Sequence, residues 1–111
     1  MNFGLTPADG YLMKAPISKN HDRLRHGWSK RYFIIQGTSL YYFQRKCELL
    51  PKGEFPLDGS MLFDSDDITG KKFSFRLTTA DGEQTMYLKT DTYEDRERWM
   101  KALIQSGANK Y

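Results

Sequence analysis

Lys14, Lys19, Arg23, Arg25, Lys30, Arg31, Arg45, Lys46 and Lys52 all fall within the first 53 residues, where only three carboxylates oppose them. The chemistry open to such a set of cations is anion binding. Residues 54–111 carry eight Lys/Arg against eleven Asp/Glu, so the two halves stand at +6 and −3 and the net +3 conceals an electrical dipole. One surface is expected to attract anions while the rest stays neutral or acidic. Catalysis has far less to work with. His21 and His26 stand five apart on a polar loop, no Cys or Ser pairs with a His at motif spacing, and no glycine-rich phosphate loop opens a helix. The lone Cys47 has no partner for a disulfide or a metal site, which suits a reducing compartment. A binding module is expected, non-enzymatic, with no cofactor and no metal; any chemistry would belong to other parts of a longer protein.

Those cations need a scaffold. A chain of 111 residues, 39% hydrophobic and 14% aromatic, supplies one globular domain with a single core. No run approaches the roughly 20 apolar residues of a membrane span, and Met1 to Gly10 lacks a signal-peptide pattern. The expected chain is soluble and cytosolic. Short strand-like runs come first: Tyr11–Lys14, then Trp28–Gln36, the run richest in β-branched and aromatic residues, then Leu40–Phe43 after a Gly37 turn. Between the first two lies a basic loop from Pro16 to Gly27, long for a hairpin, and long loops on rigid sheets often carry function. A polar loop from Arg45 to Gly53 leads to Glu54–Leu57, whose Pro56 belongs at an edge or bulge. Ser60–Asp64, Phe73–Thr79 with Phe73, Phe75 and Leu77 inward, and Thr85–Thr90 complete seven strands. A meandering antiparallel sheet of that many strands must close or fold on itself to remove its edges. The period then changes. Asp91-Thr92 offers an N-cap, Glu94 and Asp95 the acidic first turn, and Arg96, Trp99, Ala102 and Leu103 one stripe of an amphipathic helix. That helix should cover an open end of the barrel, with Trp99 as chief anchor.

The order Gly10-Tyr11-Leu12-Met13-Lys14, a variable basic loop, Trp28-Ser29-Lys30-Arg31-Tyr32-Phe33-Ile34-Ile35, Leu40-Tyr41-Tyr42-Phe43 and a late helix with Glu97-Arg98-Trp99 resembles a pleckstrin-homology domain. The resemblance spans residues 10–106, with short flanks at 1–9 and 107–111. It implies a mainly β fold, a seven-stranded bent antiparallel barrel capped by one C-terminal helix. Three inter-strand loops (first to second, third to fourth, sixth to seventh) would surround the open mouth. Many members of that family bind phosphoinositide headgroups, while others bind proteins or bind lipid weakly.

A phosphorylated inositol ring needs several cations converging from different strands, because a single surface lysine competes poorly with salt. The family's lipid-binding pattern sets a Lys at the end of the first strand, then on the second a basic residue, any residue, and an Arg. Lys14 and Arg31 match. Ser29 stands where the second cation belongs, and Lys30 beside it points to the opposite face unless a bulge shifts the register. Tyr42 falls where a family tyrosine donates its hydroxyl to phosphate, or it is simply barrel wall. Lys52 falls where a further basic ligand is often found. Arg31 could instead pair with a neighbouring acid, although the first half holds few. In the first loop Lys19, Arg23 and Arg25 can supply the missing cation, rest on an anionic bilayer, or be a solvated charge run. Leu24 there offers a shallow wedge, and protonation of His21 and His26 would add charge as pH falls. Asp81 and Glu83 at the mouth work against tight lipid binding.

These residues imply a module that grips phosphoinositide headgroups through Lys14, Arg31, Tyr42 and Lys52, helped by the loop cations, and brings its parent protein reversibly from the cytoplasm to an anionic membrane. The isolated domain is expected to be monomeric. The alternative from another class is a protein-interaction module, with helix or sheet edge docking a partner; the phosphotyrosine-binding domain shares the architecture but has longer elements. Nucleic-acid binding ranks low, because Tyr11, Trp28, Tyr32, Phe33 and Phe43 are explained as barrel wall.

Overall fold

Alternation of apolar and polar side chains lays down the strands, and the computed structural model describes them over residues 9–16 and 26–111. In chain order they are β1 (Asp9–Lys14), β2 (Ser29–Gln36), β3 (Ser39–Phe43), β4 (Gly53–Pro56), β5 (Met61–Asp64), a short helix α1 (Asp66–Thr69), β6 (Ser74–Thr78), β7 (Thr85–Lys89), helix α2 (Tyr93–Gln105) and β8 (Asn109–Lys110). They form one sheet of order β4-β3-β2-β1-β7-β6-β5-β8. β1 meets β7 through only Met13↔Lys89 and Lys14↔Leu88, and at this narrow seam the sheet bends. Leu12, Phe33, Leu40 and Phe55 on one side and Leu62, Phe75, Leu77 and Leu88 on the other share one buried cluster. The mainly β, helix-capped architecture is the expected one.

Helix α2 closes the end of that cluster. The Thr92 hydroxyl accepts the Asp95 amide at 3.1 Å, the expected N-cap. Trp99 and Leu103 are buried with Met100 and Ala102. Arg96, on the same face, is buried but not in apolar surroundings: its guanidinium reaches Asp66 at 3.2 Å and the Ser74 carbonyl at 3.4 Å. Pro56 does lie on an edge, since β4 ends the sheet.

The structure departs from expectation in three places. Phe73 is not an inward residue of β6. It precedes the strand at φ 62°, held there because the Asp66 carboxylate accepts its amide at 3.2 Å and that of Ser74 at 2.9 Å. The same Asp66 opens α1, four residues that are too few to show a helical period. Lastly, Asn109–Lys110, expected as flank, adds an eighth strand parallel to β5. No helix among the described residues is long and apolar enough to cross a membrane.

Candidate functional site

The four sequence-selected residues within the described chain meet at one end of the β1–β4 half. Lys14 ends β1 directly opposite Ser29, and Arg31 lies opposite Leu12, so Lys14 and Arg31 are diagonal neighbours on one face. Tyr42 on β3 lies opposite Phe33 on one side and Gly53 on the other. The amide of Lys52 donates to the Tyr42 carbonyl at 2.7 Å, fixing the base of the β3–β4 loop.

Tyr42 joins wall and lip. Its ring packs 5.6 Å from that of Phe33, while the Lys14 ammonium sits 5.1 Å from its centroid. The ring lies so close over Gly53 that a Cβ there would approach it to 2.6 Å. Only glycine leaves that space. A cleft of about 460 Å³ opens beside these residues, bounded by Lys14, Tyr42, Gly53 and the stretch Glu83–Tyr87. Its described walls are thus the end of β1 with Ala15 and Pro16, the facing parts of β3 and β4, and the β6–β7 turn leading into β7.

The electrostatics around these cations are those of like charges gathered without an acidic partner. Among the described residues no carboxylate forms an ion pair with Lys14, Arg31 or Lys52. The Lys14 ammonium finds the Ala15 carbonyl at 3.3 Å, and one Arg31 nitrogen finds the Lys30 carbonyl at 3.0 Å. Partial burial, and then the charges of Arg31 and Lys52, push the Lys14 pKa down. A bound phosphate would offset all three effects and raise it again. Binding should therefore take up protons as the medium becomes alkaline, and affinity should fall as pH rises through the depressed pKa of the free site. Titration calorimetry of inositol hexakisphosphate in buffers of different ionisation enthalpy measures that uptake, which Lys14→Met should abolish.

Glu83 borders the cleft, but Asp81 has another task. The Thr79 hydroxyl donates to its carboxylate at 2.6 Å and the Glu83 amide at 2.9 Å, bonds that lower its pKa and hold the turn between β6 and β7. β1 and β2 pair without a bulge, so Lys30 stays on the far face, its ammonium 4.7 Å from the Tyr11 ring centroid. Ser29 remains the gap. Lys19, Arg23 and Arg25, with His21 and Leu24, lie outside the described residues.

Two features outside the core cluster escaped sequence reasoning. Tyr11 and Tyr32, expected as barrel wall, pack edge to face on the outer side at 5.1 Å, and Lys46 stands 5.9 Å from the Tyr32 ring. Their alternation with Leu12 and Phe33 was the available signal. The other lies in Arg45–Gly53, expected as a polar loop. Its adjacent Leu49 and Leu50 are 95% and 81% exposed.

Comparison with known proteins agrees with this geometry. The family model described as PH domain matches residues 8–108. Over 69% of its length the chain is 34% identical to a RAC family serine/threonine-protein kinase homolog of Dictyostelium discoideum, and over 77% it is 33% identical to the serine/threonine-protein kinase pakC of the same organism. It spans only 17% of the length of each of these relatives. Among solved structures, the C-terminal PH domain of pleckstrin in complex with D-myo-Ins(1,2,3,4,5)P5 superposes with a TM-score of 0.72 at 23% identity, covering 89% of this chain and 95% of that one. The PH domain of human pleckstrin homology domain-containing protein family A member 5 gives 0.71 at 26% identity, covering 88% and 73%. With fold, element order and nearly the full length in agreement, the chain belongs to the pleckstrin-homology domain family.

Proposed function

We propose that this domain binds the phosphates of an inositol-lipid headgroup at the mouth bounded by β1–β4, and so holds its parent protein at an anionic membrane surface. The observation that carries the reading is the convergence of Lys14, Arg31 and Lys52 with no carboxylate pairing them among the described residues. Burial first, and then the charges of Arg31 and Lys52, lower the pKa of Lys14, which places all three cations around one point where a polyanion would meet them together. The pleckstrin structure bears an inositol pentakisphosphate, so this fold can host such a ligand. Diffuse attraction of the basic half to the anionic leaflet would supply the encounter, with each basic residue near the surface worth about 1 kcal/mol. The gripping contacts then select a headgroup.

Ser29, opposite Lys14, leaves one phosphate contact unmade, so affinity is modest and selectivity among headgroups relaxed. Co-sedimentation with vesicles across a panel of phosphoinositides in physiological salt, against phosphatidylserine vesicles, tests the reading. Binding to one or two headgroups above the control is expected, with Ser29→Lys raising it about tenfold through one added charge-assisted contact. Binding equal to the phosphatidylserine control and unaffected by Ser29→Lys would reject a formed pocket.

A further inference from the structure

The β3–β4 loop crowns the same end of the sheet as Lys14, because it leaves β3 just after Tyr42 and returns at Gly53. It carries the two most exposed large apolar side chains among the described residues, Leu49 at 95% and Leu50 at 81%. Soluble surfaces scatter single leucines freely, but two in succession at a loop tip, both more than four-fifths exposed, make an apolar point that suits an apolar partner. The loop does not spread them at random. The Lys52 amide ties its end to the Tyr42 carbonyl at 2.7 Å, the Lys46 amide donates to the Tyr11 hydroxyl at 3.3 Å, and Arg45 pairs with Glu48 at 3.7 Å. Held at both ends, the loop presents the leucines outward.

We propose that Leu49 and Leu50 form a membrane wedge that enters the headgroup and upper acyl region of an anionic bilayer beside the Lys14–Arg31–Lys52 mouth. Charge selects a bilayer over a protein groove. Arg45, Lys46 and Lys52 flank the leucines, with Glu48 the lone acid of the loop, and basic residues ringing a small apolar tip match an interface that is anionic outside and hydrocarbon beneath. The inference deepens the headgroup-binding reading and rests on it for orientation: a headgroup in the mouth would bring the tip down onto the lipid.

The experiment compares wild type with the Leu49→Ala/Leu50→Ala double variant against two probes. One is soluble inositol hexakisphosphate; the other is phosphatidylcholine–phosphatidylserine vesicles doped with mixed phosphoinositides. Both leucines are exposed, so the variant should fold and melt like wild type. Vesicle affinity is expected to fall about tenfold or more while hexakisphosphate affinity is unchanged. An environment-sensitive fluorophore on Cys47, the chain's single and exposed cysteine, should blue-shift on vesicles in wild type and much less in the variant. Unchanged vesicle affinity with hexakisphosphate still bound would overturn the wedge and leave the pocket standing. Leucine-dependent vesicle binding by a wild type that ignores hexakisphosphate would do the reverse. Self-association of the wild type that the double variant abolishes would make the tip a contact between two copies, and the wedge would again be overturned.

Discussion

Replacing Arg31 with alanine is expected to weaken binding of a phosphorylated inositol headgroup about 30-fold, roughly 2 kcal/mol, while leaving the melting temperature almost unchanged. The binding loss follows from chemistry: a guanidinium presents a planar fork of donors that grips phosphate oxygens in pairs, and such charge-assisted bonds are about twice as strong as neutral ones. The absence of a stability loss follows from the surroundings. Arg31 has no carboxylate partner among the described residues, and one of its guanidinium nitrogens donates to the carbonyl of its own neighbour, Lys30. Its charge also lowers the pKa of Lys14, so its removal relieves repulsion in the free protein. Arg31→Lys should recover the attraction but not the fork, giving an affinity between alanine and wild type. An arginine placed for structure would show the opposite pattern, with lost stability and unaltered affinity. Calorimetric titration with inositol hexakisphosphate and thermal melts of the same samples distinguish the two, and unchanged binding by Arg31→Ala would remove the headgroup from the mouth.

Much of this site was legible because strand periodicity is strict. Once Phe33 is assigned to the core, Arg31 and Ser29 must share its face and Lys30 must oppose it, and the unbulged pairing of β1 with β2 keeps that alternation. Trp99 and the N-cap at Thr92 were legible for a similar reason, since a thirteen-residue helix shows its period. What stayed hidden depends on contacts between distant residues. Nothing local marks Asp66 as the carboxylate that turns Phe73 out of its strand and meets Arg96 thirty residues on. A pattern of alternating aromatics reads Phe73 inward, and a tertiary hydrogen bond overrides it. The two residues of β8 are likewise too few to carry a pattern. The Leu49–Leu50 tip was obscured by composition: averaged over a loop rich in charge, two leucines vanish, and only their exposure makes them a feature.

Trp99→Ala should cost about 3–5 kcal/mol of folding stability, the usual range for deleting a buried large aromatic ring. Trp99 is 5% exposed and lies in the one cluster that joins both halves of the bent sheet to α2. Its ring also reaches the start of β1, where a Cβ on Gly10 would stand 3.1 Å from it. Small domains have only about 5–15 kcal/mol in hand, so the variant should melt on the order of 15 °C lower. Ile104→Ala on the same helix provides the contrast, because that side chain is 42% exposed and its loss should stay within about 1 kcal/mol. The binding site gives a second, independent expectation. β1 meets the Trp99 ring at Gly10 but presents Lys14 at its other end, where pairing with Ser29 and Leu88 fixes the strand. Below its melting transition the variant should therefore keep its affinity for inositol hexakisphosphate within about fivefold of wild type, near 1 kcal/mol. Denaturant melts and titrations at low temperature read both quantities. A stability loss under about 1 kcal/mol would show that the helix is not what holds the two halves together. A collapse of affinity in the folded variant would show instead that helix packing, and not strand register alone, sets the spacing of Lys14 and Arg31.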